Sequence, residues 1–264
     1  MLTEVKNQIR IVGKSIKYAI QREMLNKFTF FSNIIFMILN NGCFIIQWVI
    51  LFALKDSIGG YSLRQVLLLW GLASGTFGIS HFFFKEAYNL SDSINKGKLD
   101  NFLVQPKNVL LSLITSSVDV SALGDIIYAF IVLAIYGITL KTFLLFTLFI
   151  TTGGIIMTSI AIIWGSLAFW FGKAETIANN ANGLMTSFAT YPDGIFKGIV
   201  RILFYTIIPT GFANYLPVQI ITDFNIFNFF VVISVTLLFI LVSFFIFYKG
   251  IKKYSSSNLM NVRV

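Results

Sequence analysis

The sequence predicts an all-α membrane protein with six transmembrane helices, an N-terminal amphipathic interfacial helix and a re-entrant helical pair before the last span. Composition and long charge-free runs lead to this fold class. Only 12% of the 264 residues are charged and 56% are hydrophobic, whereas a soluble domain has about 25% charged residues. No Asp, Glu, Lys or Arg occurs from Thr142 to Gly172. An apolar excess of this kind has to face lipid rather than water.

A net charge of +9 is compatible with a protein that binds nucleic acid. In a membrane protein, however, basic residues hold cytoplasmic loops against anionic lipid, so we expect a lipid bilayer as a partner and no nucleic acid. Cys43 is the only cysteine, which excludes an internal disulfide, and His81 is the only histidine. We therefore expect no metal site built from several histidines.

Residues 1–27 are predicted to form the interfacial helix. Apolar residues recur there at steps of three and four, and basic residues fall largely between them. This pattern gives a helix with an apolar face and a cationic face, which is suited to lie in the membrane interface. The apolar positions are Val5, Ile9, Val12, Ile16 and Ile20.

Six later segments are predicted to span the membrane. The first is free of charge, and its 27 residues would reach about 40 Å as a helix, which is enough for a tilted span. The third is interrupted by Asp119, and the fifth contains three asparagines, so both are weaker. The predicted spans are residues 28–54, 66–84, 109–140, 143–172, 176–191 and 226–248.

The first two spans contain residues that favour helix–helix contacts. Amide side chains in the first span are expected to face other helices, where they can find hydrogen-bond partners, and small residues in the second span permit close packing. The amides are Asn33, Asn40, Asn41 and Gln47, and the small residues are Gly71, Ala73, Ser74, Gly75 and Gly78.

The distribution of basic residues predicts that both termini lie in the cytoplasm. With six crossings and the N-terminus inside, fifteen Lys and Arg residues fall on the cytoplasmic side and five on the outer side. Cytoplasmic loops are enriched in Lys and Arg. The expected location is the cell membrane, as a multi-pass protein.

Three polar residues near the apolar bulk are candidates for function: Asp119, Asp125 and His81. The two aspartates could form a proton or cation relay, but a carboxylate at the centre of a span costs about 2.5–3.5 kcal/mol. We therefore favour polar contacts near the cytoplasmic membrane face. His81 could sense pH, although a histidine packed at the membrane interface is the preferred interpretation.

The polar stretch 93–106, between the second and third predicted spans, indicates a turn followed by a short amphipathic helix. Gly97 allows the chain to turn, and Pro106 ends the helix. Three apolar residues share one face of that helix: Leu99, Phe102 and Leu103. A short helix with an exposed apolar face is expected to dock on another protein.

The pattern Gly97-x-Leu99-Asp100-x-x-Leu103-x-x-Pro106 resembles the cytoplasmic loop of ABC-2 type permeases. Later motifs resemble the same family: Tyr191-Pro192-x-x-Ile195-Phe196, then Arg201, Ile208-Pro209 and Tyr215-Leu216-Pro217. The resemblance implies a membrane subunit that dimerises, as a homodimer or a heterodimer, and binds two ABC ATPase subunits. It also implies that the segment 93–106 is the coupling loop to the ATPase.

Residues 194–221 are predicted to form a re-entrant segment on the outer side. Counting them as a further crossing would give seven and would place the basic C-terminus outside. Pro209, Gly211 and Pro217 break a continuous helix, and the family resemblance points the same way. Lys197 and Arg201 are then expected outside or at the outer interface.

These observations predict the permease subunit of an ATP-driven ABC exporter that works by alternating access. Gly13-Lys14-Ser15 looks like the end of a phosphate-binding loop, but Gln8 stands where that loop needs a glycine. We therefore expect no enzyme activity and no cofactor in this chain, with ATP and Mg on the partner ATPase. A proton-coupled secondary transporter that uses Asp119 and Asp125 and a non-transport membrane scaffold remain as alternatives.

Overall fold

The computed structural model describes residues 2–171 and 174–255, and the side chains of residues 2–5 are not described. Over these residues the protein is helical, and pairing of the strand type is limited to one isolated bridge between Ile58 and Tyr61. Four of the described helices are long and apolar enough to cross a membrane. The prediction of an all-α membrane protein is therefore confirmed, whereas the number of six spans stays a prediction.

The first half of the chain contains three long helices and three short ones. Asn26 begins the second helix, because its Oδ1 accepts a hydrogen bond from Thr29 N, and Ser62 and Gln65 form a capping box at the third. The helices are α1 (Leu2–Glu23), α2 (Lys27–Leu54), α3 (Leu63–Tyr88), α4 (Leu90–Asn95), α5 (Asp100–Leu103) and α6 (Val109–Ile114).

The second half continues with helices of mixed length. Short 3₁₀ turns occur at Leu167–Phe169 and Asp193–Ile195, and a π-helix covers Gly211–Tyr215. The helices are α7 (Ser121–Tyr136), α8 (Leu140–Ser166), α9 (Ala174–Ala189), α10 (Ile199–Leu203), α11 (Leu216–Thr222) and α12 (Ile226–Ile251).

Helix α3 occupies the centre of the bundle and packs against α7 and α8. Its glycines permit this approach, as predicted: a Cβ atom on Gly75 would lie 2.5 Å from Ile150 Cγ2, and one on Gly78 would lie 2.6 Å from Ile126 Cγ1. Near its C-terminal end the backbone leaves helical geometry at Phe84, where φ is −133° and ψ is 36°. The helix is therefore bent just before the short helices begin.

One end of the bundle collects α1, α4, α5 and α6, and we refer to it as the α1 end. Ser15 Oγ donates a hydrogen bond to the Thr115 carbonyl at 2.9 Å, and Asn108 N donates to Gln8 Oε1 at 3.2 Å. Apolar side chains of α1, among them the buried Ala19, pack near the start of α7. The predicted interfacial helix thus lies against the bundle along part of its length.

The opposite end, the Tyr61 end, joins the loop after α2 to the segment before α10. Tyr61 OH donates a hydrogen bond to Asp193 Oδ1 at 2.8 Å, and Arg201 Nη2 lies 3.0 Å from Asp193 Oδ2. The backbones touch directly, because a Cβ on Gly194 would overlap the Gly59 carbonyl oxygen. Arg201 therefore lies at the end of the bundle opposite α1.

The chain between α9 and α12 leaves the Tyr61 end and returns to it. It begins at Asp193, beside Tyr61, and it finishes near Phe224, over whose ring Lys141 Nζ lies at 4.9 Å. Between these points the π-helix passes the middle of α8, where a Cβ on Gly153 would lie 2.9 Å from the Ala213 carbonyl oxygen. The π-helix runs directly into α11 at Leu216, so the helix is continuous through Pro217. The expectation that Pro217 breaks a helix is therefore wrong.

Candidate functional site

The predicted coupling loop is built from α4, a turn and α5. The turn is possible because Gly97 has φ +70°, a conformation that side chains with a Cβ rarely adopt. Helix α5 is a single turn that ends at Leu103, and Pro106 stands in the connection to α6. The order of turn, short helix and proline connection thus agrees with the sequence pattern.

The three apolar residues of this loop do not share one environment. Leu99 is completely buried in a cluster with residues of α4 and α6, and Phe102 is half-buried against the same cluster. Leu103 is 41% exposed, and its neighbour Val104 is 85% exposed. Leu99 therefore fixes the loop to the bundle, while Leu103 and Val104 form an apolar surface that points away from it.

Two ion pairs lie beside the turn of the predicted coupling loop. Asp92 Oδ1 lies 2.7 Å from Lys96 Nζ, and Asp92 Oδ2 lies 3.1 Å from Lys98 Nζ. The hydrogen bond from Lys96, followed by that from Lys98, lowers the pKa of the Asp92 carboxyl. These pairs hold the two lysine side chains beside the turn at Gly97.

Asp100 in α5 lies close to the segment that follows the last helix. Burial, together with the Asp100 carboxylate beside it, raises the pKa of the Tyr254 hydroxyl. Tyr254 also packs on the cluster that contains Leu99. The predicted coupling loop is thus held in place by α4, by α6 and by the chain after α12.

A second candidate site is a cavity of about 430 Å³ inside the bundle. One face of α2 forms a wall through residues spaced at helical intervals, and α9 forms the wall opposite. Helix α3 also lines the cavity, and Asp125 from α7, Met157 from α8 and Asn214 from the π-helix complete the lining. The α2 residues of the wall are Met37, Asn40, Asn41, Phe44, Gln47 and Trp48.

Asp125 is deeply buried in this lining, with 3% of its surface exposed. Its Oδ1 accepts a hydrogen bond from Asn41 Nδ2 at 2.7 Å, and Ser74 Oγ donates to the Asp125 carbonyl at 2.9 Å. Asp125 Oδ2 is buried and has no hydrogen-bond partner among the described residues. The prediction that Asn41 finds a partner on another helix is confirmed by the first of these bonds.

A family model describing the ABC-2 family transporter proteins matches residues 37–258. The chain belongs to this family. No curated protein and no solved structure matches the chain. As an ABC-2 permease it is a membrane component of a kind that works with ABC ATPase partners and has no ATPase motif of its own.

The other two polar candidates of the permease lie outside the cavity lining. Asp119 Oδ1 accepts hydrogen bonds from Ser121 N at 3.1 Å and Ser121 Oγ at 2.7 Å, and Asp119 Oδ2 lies 3.9 Å from Lys85 Nζ. His81 is stacked between the rings of Phe77 and Tyr88, with centroid distances of 3.7 and 3.8 Å. Both residues therefore make local packing and hydrogen-bond contacts.

Sequence reasoning did not single out several residues that the permease brings together. Val104 occupies a variable position of the predicted motif and continues its apolar run, so hydrophobicity alone could have added it to the surface. Trp70 and Asn214 lie 144 positions apart in the sequence, yet both line the cavity with Asp125. No local pattern connects positions so distant, and only the packing of the helices does so.

Proposed function

We propose that this chain is the transmembrane permease subunit of an ATP-driven ABC exporter, which moves its substrate out of the cytoplasm by alternating access. Membership of the ABC-2 family over residues 37–258 carries the proposal. The ATPase activity, with its ATP and Mg, belongs to separate subunits that bind this chain. Two structural features support the proposal: an apolar surface at the α1 end and a cavity within the bundle.

The proposed topology has six crossings, formed by α2, α3, α6 with α7, α8, α9 and α12. Contacts at the bundle ends support this alternation. Arg64 at the start of α3 donates to the carbonyl of Tyr136 at the end of α7 at 2.7 Å, so these two helices run in opposite directions. Lys141 at the start of α8 meets Phe224 just before α12, so these two helices begin at the same end.

The segment 194–221 is proposed as a re-entrant pair rather than a crossing. Its two ends lie at the Tyr61 end, while Ala213 reaches the middle of α8. A chain that starts and finishes at the same end adds no crossing, so the total stays even. This geometry, together with the interruption of the helix before and at Pro209, supports the re-entrant assignment.

The α1 end is proposed to be cytoplasmic, with the permease in the cell membrane. The helix α1 carries a series of exposed basic residues, and Lys85, Lys96, Lys98 and Lys107 lie at the same end. Arg64, Lys141, Lys197 and Arg201 belong to the opposite end, which is poorer in basic residues. Cytoplasmic loops are enriched in Lys and Arg, so this distribution supports cytoplasmic termini. The final residues, including Arg263, lie outside the described part of the chain.

The apolar surface of Leu103 and Val104 is proposed to be the docking site of the ATPase subunit. It lies outside the predicted spans at the proposed cytoplasmic end, where water would otherwise cover it. Burial of one such side chain stabilises a complex by about 1.5–3 kcal/mol. Because Leu99 is fixed in the bundle, movement of the docked subunit would be passed to α4 and α6.

A second permease subunit is proposed to cover the polar side of α2. Asn33, Asn40 and Gln47 are spaced by seven residues, so they share one face of α2, and all three are exposed within the single chain. Amide side chains in a span associate with other helices, where they exchange hydrogen bonds. A second copy of α2, or the equivalent helix of a related subunit, would present matching amides.

Co-purification tests the proposed function. The permease is expressed at native level in its own host with an affinity tag, purified in mild detergent and identified by mass spectrometry together with its partners. The expected result is a stoichiometric protein that carries a phosphate-binding loop and hydrolyses ATP. Recovery of the permease without such a protein under cross-linking conditions would contradict the exporter proposal.

Cysteine labelling tests the topology in a background in which Cys43 is replaced by serine. Ser57→Cys and Lys197→Cys should react with a membrane-impermeant maleimide in intact cells, whereas Gly13→Cys should react only after the cells are opened. All three positions are exposed. Protection of Lys197→Cys in intact cells would exclude the re-entrant assignment but not the six crossings.

A further inference from the structure

We propose that the cavity beside Asp125 binds an amphiphilic organic cation, whose charged nitrogen pairs with the carboxylate and whose apolar body lies on aromatic rings. This inference rests on the proposed function, since it names the substrate class that the exporter would carry. It is carried by the arrangement of charge, hydrogen-bonding groups and rings around the cavity.

Asp125 is the one charged residue among the described residues that line the cavity. The remaining polar lining consists of amides and hydroxyls, and none of these neutralises a carboxylate. A buried charge is stable when it is paired or when it takes up a proton. Because the protein supplies no cation here, a cationic ligand would complete the pair.

Other polar groups of the lining also have hydrogen-bonding capacity that the protein does not use. The side chains of Trp70, Thr76 and Asn214 each contain a buried polar atom without a hydrogen-bond partner. Most buried polar atoms in proteins are satisfied. Three such groups together with Asp125 Oδ2 around one cavity indicate a place where a ligand or ordered water would complete the bonding.

Aromatic rings provide the second element of a site for organic cations. Phe44 stacks on Trp70 with a centroid distance of 4.9 Å, and Trp48 meets Tyr191 edge-on at 6.0 Å. Ring faces attract a cation through their quadrupole, and tryptophan does so most strongly. An anion could accept hydrogen bonds from the amides and hydroxyls, but it would lie beside the Asp125 carboxylate without a Lys or Arg in the described lining to balance the two negative charges.

The cavity has a suitable size and an opening. About 430 Å³ lies within the range of sites for small molecules, which is roughly 300–1,000 Å³. Lining residues on both walls are exposed, namely Asn40 and Gln47 on α2 and Ser187 and Tyr191 on α9. The cavity therefore opens between α2 and α9, on the side of α2 that the second permease subunit is proposed to cover, so a ligand would enter from the interface between the two subunits.

Binding of two probe ions to the purified permease in lipid nanodiscs tests the inference. Tetraphenylphosphonium and tetraphenylborate have nearly the same size and opposite charge, and binding to empty nanodiscs is subtracted. We expect saturable binding of the phosphonium alone. In Asp125→Asn its affinity should fall by at least about tenfold, as is typical when a charged partner is removed from a polar contact.

Two further variants keep the test decisive. Asp119→Asn makes the same chemical change outside the lining and should bind the phosphonium like the wild type. Phe44→Ala truncates a ring that is 40% exposed, so it should fold even if Asp125→Asn does not, and it should weaken binding by about threefold or more. Equal binding of both ions, or phosphonium binding unaffected by Phe44→Ala, would overturn the inference. These measurements need no ATPase, so their failure is separate from failure of the co-purification.

Discussion

The hydrogen bond from Asn41 Nδ2 to Asp125 Oδ1, 2.7 Å long, joins α2 to α7 in the interior of the bundle. Helix α2 is otherwise poorly buried, since only Phe30, Asn41 and Trp48 are buried along its 28 residues. A polar contact at this position therefore fixes both the rotation and the depth of α2 relative to α7.

A double-mutant cycle with Asn41→Ala and Asp125→Ala should measure a coupling free energy of about 0.6–1.7 kcal/mol, as found for side-chain hydrogen bonds within membrane bundles. The measurement is reversible unfolding in mixed SDS micelles. A parallel cycle that pairs Asn41→Ala with Asp119→Ala should give a coupling near zero, because Asp119 bonds to Ser121 instead. Equal coupling in both cycles would contradict the assigned bond.

Gly153 should tolerate no larger residue, because α8 is in contact there with α3 and the π-helix. A Cβ at this position would lie 2.5 Å from Thr76 Oγ1 and 2.9 Å from the Ala213 carbonyl oxygen. Gly153→Ala should therefore destabilise the fold by about 1–3 kcal/mol through overpacking. Gly183→Ala is the matched control in α9, where nothing lies within 4 Å of the new Cβ. That control should be neutral or stabilising by up to about 1 kcal/mol in the same unfolding assay.

Leu103→Asp should weaken ATPase binding by at least about tenfold while membrane insertion stays intact. The physical reason is that a carboxylate would replace an apolar side chain in the proposed interface, where its burial is costly. Val104→Asp should have a similar effect, since Val104 is even more exposed. Affinity is measured with detergent-solubilised permease and the separately purified ATPase.

The control for the docking surface is Leu54→Asp, at the opposite end of the bundle. Leu54 is 78% exposed, so the same substitution adds a charge to another exposed apolar position without removing buried contacts. ATPase binding should be unchanged in this variant. Normal ATPase binding and substrate-stimulated hydrolysis in Leu103→Asp would show that the docking assignment is wrong.

Asp193→Ala should destabilise the Tyr61 end by about 1–3 kcal/mol, because it leaves the Tyr61 hydroxyl without its acceptor. The same change removes the partner of Arg201, whose guanidinium is partly exposed. Asp223→Ala alters an exposed carboxylate near the same end and should change the stability by no more than about 0.5 kcal/mol. Protection of amides in 193–201 from hydrogen exchange should fall only in Asp193→Ala.

The sequence predicted those parts of the fold that depend on composition and local pattern. Charge-free length located α2, α8 and α12, and Gly97 located the turn of the coupling loop. The predicted third span differs, because the chain breaks between α6 and α7, where the Asp119 carboxylate accepts bonds from Ser121. The charge of Asp119 marks an interruption in the sequence, but the position of the helix ends depends on which hydrogen bonds form.

The sequence predicted local backbone features of the candidate sites but not the contacts between residues that are distant in the chain, and the role of the segment 93–106 in coupling stays a prediction. The coupling loop is contiguous, so its turn and short helix followed from the pattern, but periodicity could not tell that Leu99 faces inwards and Leu103 outwards. The cavity unites five helices and the π-helix, and its members follow from tertiary packing. Asp125 could be recognised as unusual from the cost of a carboxylate in a span, but its partner could be chosen among several amides only with the structure in hand.

The bend of α3 at Phe84 is the position at which the bundle would yield if a force acted on the predicted coupling loop. The part of α3 before residue 84 is clamped by the glycine contacts with α7 and α8, whereas the part after it continues into α4 and the buried anchor Leu99. A force applied at Leu103 would reach residue 84 through the packed side chains of α5 and α4. The protein would bend mainly at this one backbone position. If the backbone at residue 84 were more rigid, the same movement of Leu103 would displace the centre of the bundle further.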